Sequence, residues 1–581
     1  MTDAPLPDAP RTAVRTGADA LAESLIAAGV GTVFGVPGDT GVAFYDALYW
    51  RTDRLRHVLA RDERHAVAMA DAYGRVTGRP GVVEVSSGGG TTYAVGGMGE
   101  AFASGVPLVL ITSDIHRASR GTGALTEIDQ VKLFSAVTKK SYVVEDADDV
   151  PRIVADAFHE AVSGHPGPVA IIVPEDVLDE HVEQFAARTP DPRSPIAPDP
   201  LRIAEAVELL QGATRPAVIA GSGVHSSEAY AALASVAGKI GAGIATTIHG
   251  RGAIEDGHPL SLGLVGNNGG QPGANEVLGE ADVALLVGTR ANATDTNGFT
   301  TPARGACRII RIDVDPARAA ANYPDALQIV GDAKRALEGI DRALKPIGAE
   351  QNRIRLARVE AAREDRFDPR TPPGGAGVRD GELIPSDVVE LVASLLPEGT
   401  PIVADPGTPT PNVANYWPVA APGRRVIIPR GHGPMGYAIP AAIGLAFSVP
   451  GSPIVSVTAD GSFAMSCGEL ETAARFELPV LFIQFTNHSF GWIKMLQHLY
   501  YEGRYFGVDP GTIDPVPIAE ASGMRGVRVH SLAELERVVR EFAADPAPTY
   551  VDVIVPHMIE HTPPVPAWVK AIDGDSTRPI Y

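Results

Sequence analysis

The chain is 581 residues long, 45% hydrophobic and 20% charged, which is too much for one hydrophobic core and implies roughly three or four domains. Its formal net charge of −21 leaves no basic stripe to displace counterions from a phosphate backbone, which excludes nucleic acid as a partner. Two cysteines, Cys307 and Cys467, rule out a disulfide framework or a cysteine zinc site and suit a reducing, cytoplasmic setting; no apolar run approaches a membrane span.

Residues 1–12 are acidic and Pro-rich and read as a disordered leader. From 13 to 190, helical and strand signals alternate. A helix is predicted over Ala18 to Ala28, and strands over Thr32–Val36, Leu55–Leu59, Val82–Val85, Leu108–Thr112 and Pro168–Pro174. Between the second and third of these strands, Arg61-Asp62-Glu63-Arg64-His65 opens a long Ala-rich helix to Thr77. A Pro-rich seam from Thr189 to Pro200 reads as a linker. A second α/β unit, 201–345, has strands at Ala217–Ala220, Val283–Val287 and Arg308–Ile312. Each ends in a polar or glycine-rich turn: Gly221-Ser222-Gly223, Gly288-Thr289-Arg290 and Asp313-Val314-Asp315-Pro316. The stretch 346–382, with Thr371–Gly377 inside it, reads as a linker; 383–557 is a third α/β unit, and 558–581 an extended Pro-rich tail. Strands separated by helices, three times over, predict three doubly wound parallel-sheet domains.

The densest chemistry lies in the third unit. The apolar run Ile454–Val457 leads to Asp460-Gly461-Ser462, and the run Val480–Phe485 leads to Asn487, 487 − 460 = 27 positions beyond Asp460. In a parallel sheet both runs deliver their polar ends to the same edge, where open α/β sheets bind ligands. A carboxylate and an amide oxygen are hard ligands suited to magnesium, and the N–H groups opening the next helix can face an anion. Asp460-Gly461-Ser462 alone reads as a capped strand-turn-helix; the spaced Asn487 turns it into a candidate seat for a metal diphosphate. Gly431-His432-Gly433-Pro434-Met435-Gly436 has the form of a dinucleotide fingerprint, but its acidic partner would be Asp460, already committed to Asn487.

Asp460-Gly461-Ser462 with its spaced Asn487 resembles the thiamine diphosphate fingerprint of the acetolactate synthase, pyruvate oxidase and pyruvate decarboxylase superfamily. Arg61–Ala66 followed by Asp71-Ala-Tyr73-Gly-Arg75, and Gly433-Pro-Met-Gly-Tyr-Ala-Ile-Pro440, resemble other segments of that family, so the match runs from about 13 to 557. The resemblance implies pyrimidine-binding, central and diphosphate-binding domains. It makes Glu63 the catalytic acid that activates the cofactor's aminopyrimidine. Met435 becomes the apolar wedge that bends the cofactor, with a core methionine as the alternative. Pro37, Gly407, Thr408, Gly433, Asp460, Gly461, Ser462 and Asn487 would contact the cofactor. Asp460, Asn487 and the main-chain carbonyl of Ser489 would hold Mg2+. His432 and His488 are left without a ligand role.

The family's glutamate and metal motif come from different subunits, which implies a homodimer or a dimer of dimers with shared sites. The implied reaction decarboxylates a 2-oxo acid to an enamine and ligates it to a carbonyl acceptor. A non-ligating decarboxylase, a flavin-dependent oxidase and an inactive cofactor-binding regulatory subunit are the alternatives. Where acetolactate synthases carry a Phe-Gln pair, a Trp, a Gly-Gly and a Gln-His, this chain has Leu125-Thr126, Leu496, Gly38-Asp39 and Thr408-Pro409. Asp39 reads either as a proton donor or as a turn cap. The turns that end the central strands fall where flavin-binding relatives hold FAD, and FAD or ADP is the further cofactor to be tested.

Overall fold

Apolar runs such as Pro168–Pro174 and Val480–Thr486 are strands buried along their whole length in the computed structural model, as parallel sheets covered on both faces require. The structure describes residues 14–367, 378–574 and 577–579. The first sheet comprises β1 (Thr32–Val36), β2 (Arg56–Leu59), β3 (Gly81–Val85), β4 (Leu108–Asp114), β5 (Lys140–Val143) and β6 (Pro168–Pro174), in the order β2-β1-β3-β4-β6-β5. The second comprises β7 (Pro216–Ala220), β8 (Gly243–Thr246), β9 (Ser261–Leu264), β10 (Val283–Val287), β11 (Arg308–Asp313) and β12 (Leu327–Val330), in the order β12-β11-β10-β7-β8-β9. The third comprises β13 (Ile402–Ala404), β14 (Val426–Ile427), β15 (Ile454–Ala459), β16 (Val480–Thr486), β17 (Arg525–Val529) and β18 (Thr549–Ile554), in the order β14-β13-β15-β16-β18-β17.

The first and third sheets share one winding, and the second has the order of dinucleotide-binding folds. In each, the chain leaves one strand for a neighbour on one side and later resumes on the other. These switch points lie between β1 and β3, β7 and β10, and β13 and β15.

The chain forms two compact units. One holds residues up to 194 together with 429–452 and 466–480; the other holds 195–428, 453–465 and 481–581. The first unit therefore combines the first sheet with the helices Ala438–Ser448 and Glu469–Arg475. Helix Ala438–Ser448 packs along the helix Glu63–Thr77, and Gly444 makes this approach possible: a Cβ there would lie 2.6 Å from Met69 Cα. In the second unit Arg251, 4% exposed, pairs with Asp256 and donates to the carbonyls of Ala414 and Trp417 at 3.0 and 3.1 Å.

Two stretches depart from the sequence reading. The expected linker 346–382 contains the helix Ala349–Glu364, whose Val359 and Ala362 pack with Ala274, Val277 and Leu278, and whose buried Arg355 donates to the Ile240 carbonyl at 2.6 Å. Its many charges hid its apolar face. The expected extended tail contains the helix Pro566–Ile572, with Trp568 fully buried among Met495, Met558 and Val565. The leader 1–12 and Thr371–Gly377 lie outside the described residues. Among the described residues no helix is long and apolar enough to cross a membrane.

A methyl group at position 444 would meet backbone, which cannot rotate away. Gly444→Ala should therefore cost the first unit about 3 kcal/mol, read as a lowered denaturation midpoint.

Candidate functional site

The switch point of the third sheet gathers the residues that the sequence singled out. Asp460 follows β15, and its carboxylate accepts N–H groups from both sides: Gly461 at 2.8 Å to Oδ1, and Asn487 at 3.1 Å and His488 at 2.6 Å to Oδ2. The end of β16 is thereby tied to the end of β15. His488 adopts a left-handed conformation (φ 55°) in the turn that aims these amides. Burial raises the Asp460 pKa, and the three N–H groups oppose that rise.

Asn487 is buried, and a Cβ on Gly491 would stand 3.3 Å from its Nδ2 and 3.5 Å from Thr408 Oγ1, so a small residue leaves room between amide and hydroxyl. Ser489 is buried, and its carbonyl accepts from Gly491 N–H at 2.8 Å. After β13, Asp405 anchors the turn by accepting from Thr458 Oγ1 at 2.6 Å and, through its carbonyl, from Thr410 Oγ1 at 2.9 Å. Gly407 needs glycine for its φ of 103°, and no atom lies within 4 Å of where its Cβ would be. The turn borders open space at this point.

One detail differs from expectation. The Gly461 N–H, expected to face an anion, is taken by the Asp460 carboxylate, and Ser462 is fully buried in the helix Asp460–Ser466. The oxygen donors of Asp460, Asn487 and Ser489 nevertheless form a hard set that suits Mg2+ bearing phosphate oxygens. Among the described residues no group of three or more His, Cys, Asp or Glu competes as a metal centre.

The other predicted residues belong to the first unit. Glu63 is the first residue of its helix, which Asp62 caps by accepting Arg64 N–H at 2.8 Å. It is half-buried and lies against the start of the helix Gly89–Ser104: a Cβ on Gly90 would be 3.0 Å from its Oε1. Pro37 is exposed in the turn after β1. Asp39 accepts its neighbour Thr40's N–H at 3.0 Å, which is what a turn cap does. Beside this turn Thr40 Oγ1 meets the hydroxyls of Ser86, Ser87 and Ser113 at 3.1, 3.0 and 2.7 Å, and Ser87 Oγ meets Thr126 Oγ1 at 2.8 Å. Thr126 is thus one end of a hydroxyl cluster. Gly433 (φ 71°) and Met435, 38% exposed, lie in the loop before helix Ala438–Ser448.

Sequence reading missed Glu84. It lies in the apolar run of β3, fully buried, and accepts a hydrogen bond from Tyr45 Oη, which is also 3.2 Å from His57 Nε2. A single acid between valines was the available signal, because a buried acid needs a partner or a proton. Burial, together with the nearby Glu63 charge, raises its carboxyl from an ordinary 4.5 to about 8 despite the Tyr45 bond.

At the central switch point two glycine turns meet. A Cβ on Gly223 would sit 2.6 Å from Gly288 Cα, so the turns after β7 and β10 press against each other. That contact accounts for their glycines without a ligand. Asp313, raised by burial, accepts Asp315 N–H at 3.0 Å.

Comparison with known proteins matches three successive segments of the chain. Residues 15–133 match the N-terminal TPP binding domain of thiamine pyrophosphate enzymes, 203–340 their central domain and 405–553 their C-terminal TPP binding domain. A probable acetolactate synthase large subunit of Methanocaldococcus jannaschii is 32% identical over 553 residues, 93% of this chain and 92% of its own length. The acetolactate synthase isozyme 3 large subunit of Escherichia coli is 32% identical over 540 residues, 90% of this chain and 92% of its own. This chain belongs to the thiamine pyrophosphate enzymes. An acetolactate synthase from Arthrospira platensis, 31% identical over 93% of this chain and 94% of its own length, is similar to the same extent. The expected fold, three parallel α/β domains in that order, is the fold of this thiamine pyrophosphate enzyme.

Two measurements follow from these sites. Between pH 4.5 and about 8 the folded enzyme keeps a proton on Glu84 that the unfolded chain releases, so stability falls as pH rises through that window. Glu84→Gln should flatten that fall, by at most about 1.4 kcal/mol per pH unit, in thermal midpoints taken across the range. Because the glycines of the central turns are accounted for by their contact with each other, we expect the purified enzyme to show no flavin absorbance; a visible flavin band would overturn this.

Proposed function

We propose that the enzyme uses thiamine diphosphate and Mg2+ to decarboxylate a 2-oxo acid and ligate the remaining fragment to a carbonyl acceptor. The observation that carries the reading is the meeting of Asp460 and Asn487 at neighbouring strand ends beside the open Gly407 turn. The similarity to acetolactate synthase large subunits supports the ligation step.

Asp460, Asn487 and the Ser489 carbonyl would hold the metal, and Gly407 and Thr408 would bear on the diphosphate. When bound, the cofactor supplies an electron sink for the pair left by departing CO2. Glu63 would hold and exchange a proton at its carboxyl with the aminopyrimidine ring, while Met435 presses on the cofactor from its exposed loop. A homodimer or dimer of dimers with shared sites is part of this proposal. It is supported by large apolar side chains left in solvent, Leu125 at 84% and Phe506 at 90%. Both free cysteines suit a reducing, cytoplasmic setting.

The deciding experiment supplies a panel of 2-oxo acids and follows CO2 and ligated product together. Glu63→Gln preserves the side-chain shape but cannot exchange the proton, so turnover should fall by roughly 10²–10⁴-fold with cofactor affinity retained. CO2 without ligated product would replace the ligase with a simple decarboxylase. Cofactor binding without CO2 would leave a regulatory subunit.

A further inference from the structure

Glu100 lies near the end of the helix Gly89–Ser104 with 1% of its surface exposed, where a carboxylate must be met by donors on every side. Arg75 Nη2 lies 2.9 Å and Ser104 Oγ 2.6 Å from Oε1. Three successive backbone N–H groups of one loop complete the set: Gly431 at 3.0 Å to Oε1, His432 at 2.7 Å and Gly433 at 3.1 Å to Oε2. Burial opposes the charge, but Arg75, Ser104 and the loop amides outweigh it and hold the carboxyl below its ordinary value.

The far end of the loop is tied to the same cluster. Tyr437 donates its hydroxyl to Asp71, and Asp71 accepts Arg75 Nε at 2.6 Å. The packing is close as well as polar. A Cβ on Gly431 would stand 2.7 Å from Ser104 Oγ, and one on Gly99 would stand 2.6 Å from His432 Nδ1. Between these two anchors are Gly433 (φ 71°), Pro434, the exposed Met435 and Gly436 (φ 79°).

We propose that Glu100 is a positioning residue that pre-forms the Gly431–Gly436 turn, so that Met435 stands ready for thiamine diphosphate before the cofactor binds. The benefit to binding rests on the function proposed above; the pre-formed turn does not. A loop ordered in advance loses less entropy when its ligand arrives, so the cradle strengthens cofactor binding without touching the cofactor.

Hydrogen exchange on the full-length, cofactor-free enzyme tests the turn alone. The amides of 431–433 should be strongly protected and gain little on adding thiamine diphosphate and Mg2+. Free exchange that is suppressed only by cofactor overturns the proposal.

Glu100→Gln removes the charge, so the same amides should exchange at least about tenfold faster, as expected for lost bonds to a charged acceptor. Thiamine diphosphate affinity, followed by titration, should fall by a similar factor. Gly99→Ala, which displaces His432 and leaves every charge in place, should weaken affinity in the same direction and serves if Glu100→Gln does not fold. Arg51→Lys is the control for lost stability, because its partners Asp19 and Glu23 lie on other elements of the same unit; it should leave affinity unchanged. Equal weakening in Arg51→Lys would make Glu100 merely structural and overturn the proposal. Protected amides in a wild-type enzyme that binds no thiamine diphosphate would instead defeat the proposed function and leave the pre-formed turn standing.

Discussion

The Asp460 carboxylate is the interaction on which the candidate site depends. By accepting N–H groups from its own turn and from the end of the next strand, it makes two strand ends one rigid edge. The spacing of 27 residues in sequence becomes a spacing of one strand in space. Winding alone does not produce such a site. All three sheets have a switch point, but Gly223 and Gly288 press on each other at the central one, and Gly38 presses on Ser86 in the first. Only beside Gly407, among these positions, does the turn border open space.

Two buried glutamates in the first unit show how the same side chain is steered to opposite states. Glu84 has a tyrosine hydroxyl for company and no cation, so desolvation dominates and it keeps its proton. Glu100 is equally buried, yet a guanidinium, a hydroxyl and three amides face it and it stays charged. The count and charge of donors, not depth, sets the difference. The neutral acid adjoins the element carrying Glu63; the charged one adjoins the loop carrying Met435.

Much of the fold was legible because burial on both faces leaves continuous apolar runs. Pro168–Pro174 is a strand with the predicted bounds, and the helix from Glu63 ends at Thr77 as read. The strands that escaped notice were Lys140–Val143, Gly243–Thr246, Ser261–Leu264, Leu327–Val330 and Arg525–Val529. Four of them are the outermost strand of their sheet, where polar side chains are tolerated, and Gly243–Thr246 is too short and small to register. The site residues were legible where a turn follows a strand directly, as in the turns that hold Gly407 and Asp460. Glu84 and Glu100 were not, since Tyr45, Arg75 and the 431–433 amides come from other elements and only folding brings them together. The Gly461 N–H was misread for a similar reason: the sequence does not say which acceptor a free amide will find.

The discontinuity of the first unit has a consequence for how the enzyme is made. Its helix Glu63–Thr77 packs against Ala438–Ser448, a segment encoded more than half a chain later. On a ribosome adding about 5–20 residues per second, the amino-terminal sheet would wait roughly 15–60 s for its covering helix to emerge. During that interval Met69 and its neighbours lack their cover, so nascent chains are exposed to misassociation until synthesis is nearly finished. Truncated transcripts and slow codons ahead of this region would lengthen that vulnerable period, and chaperone dependence is the expected biological signature.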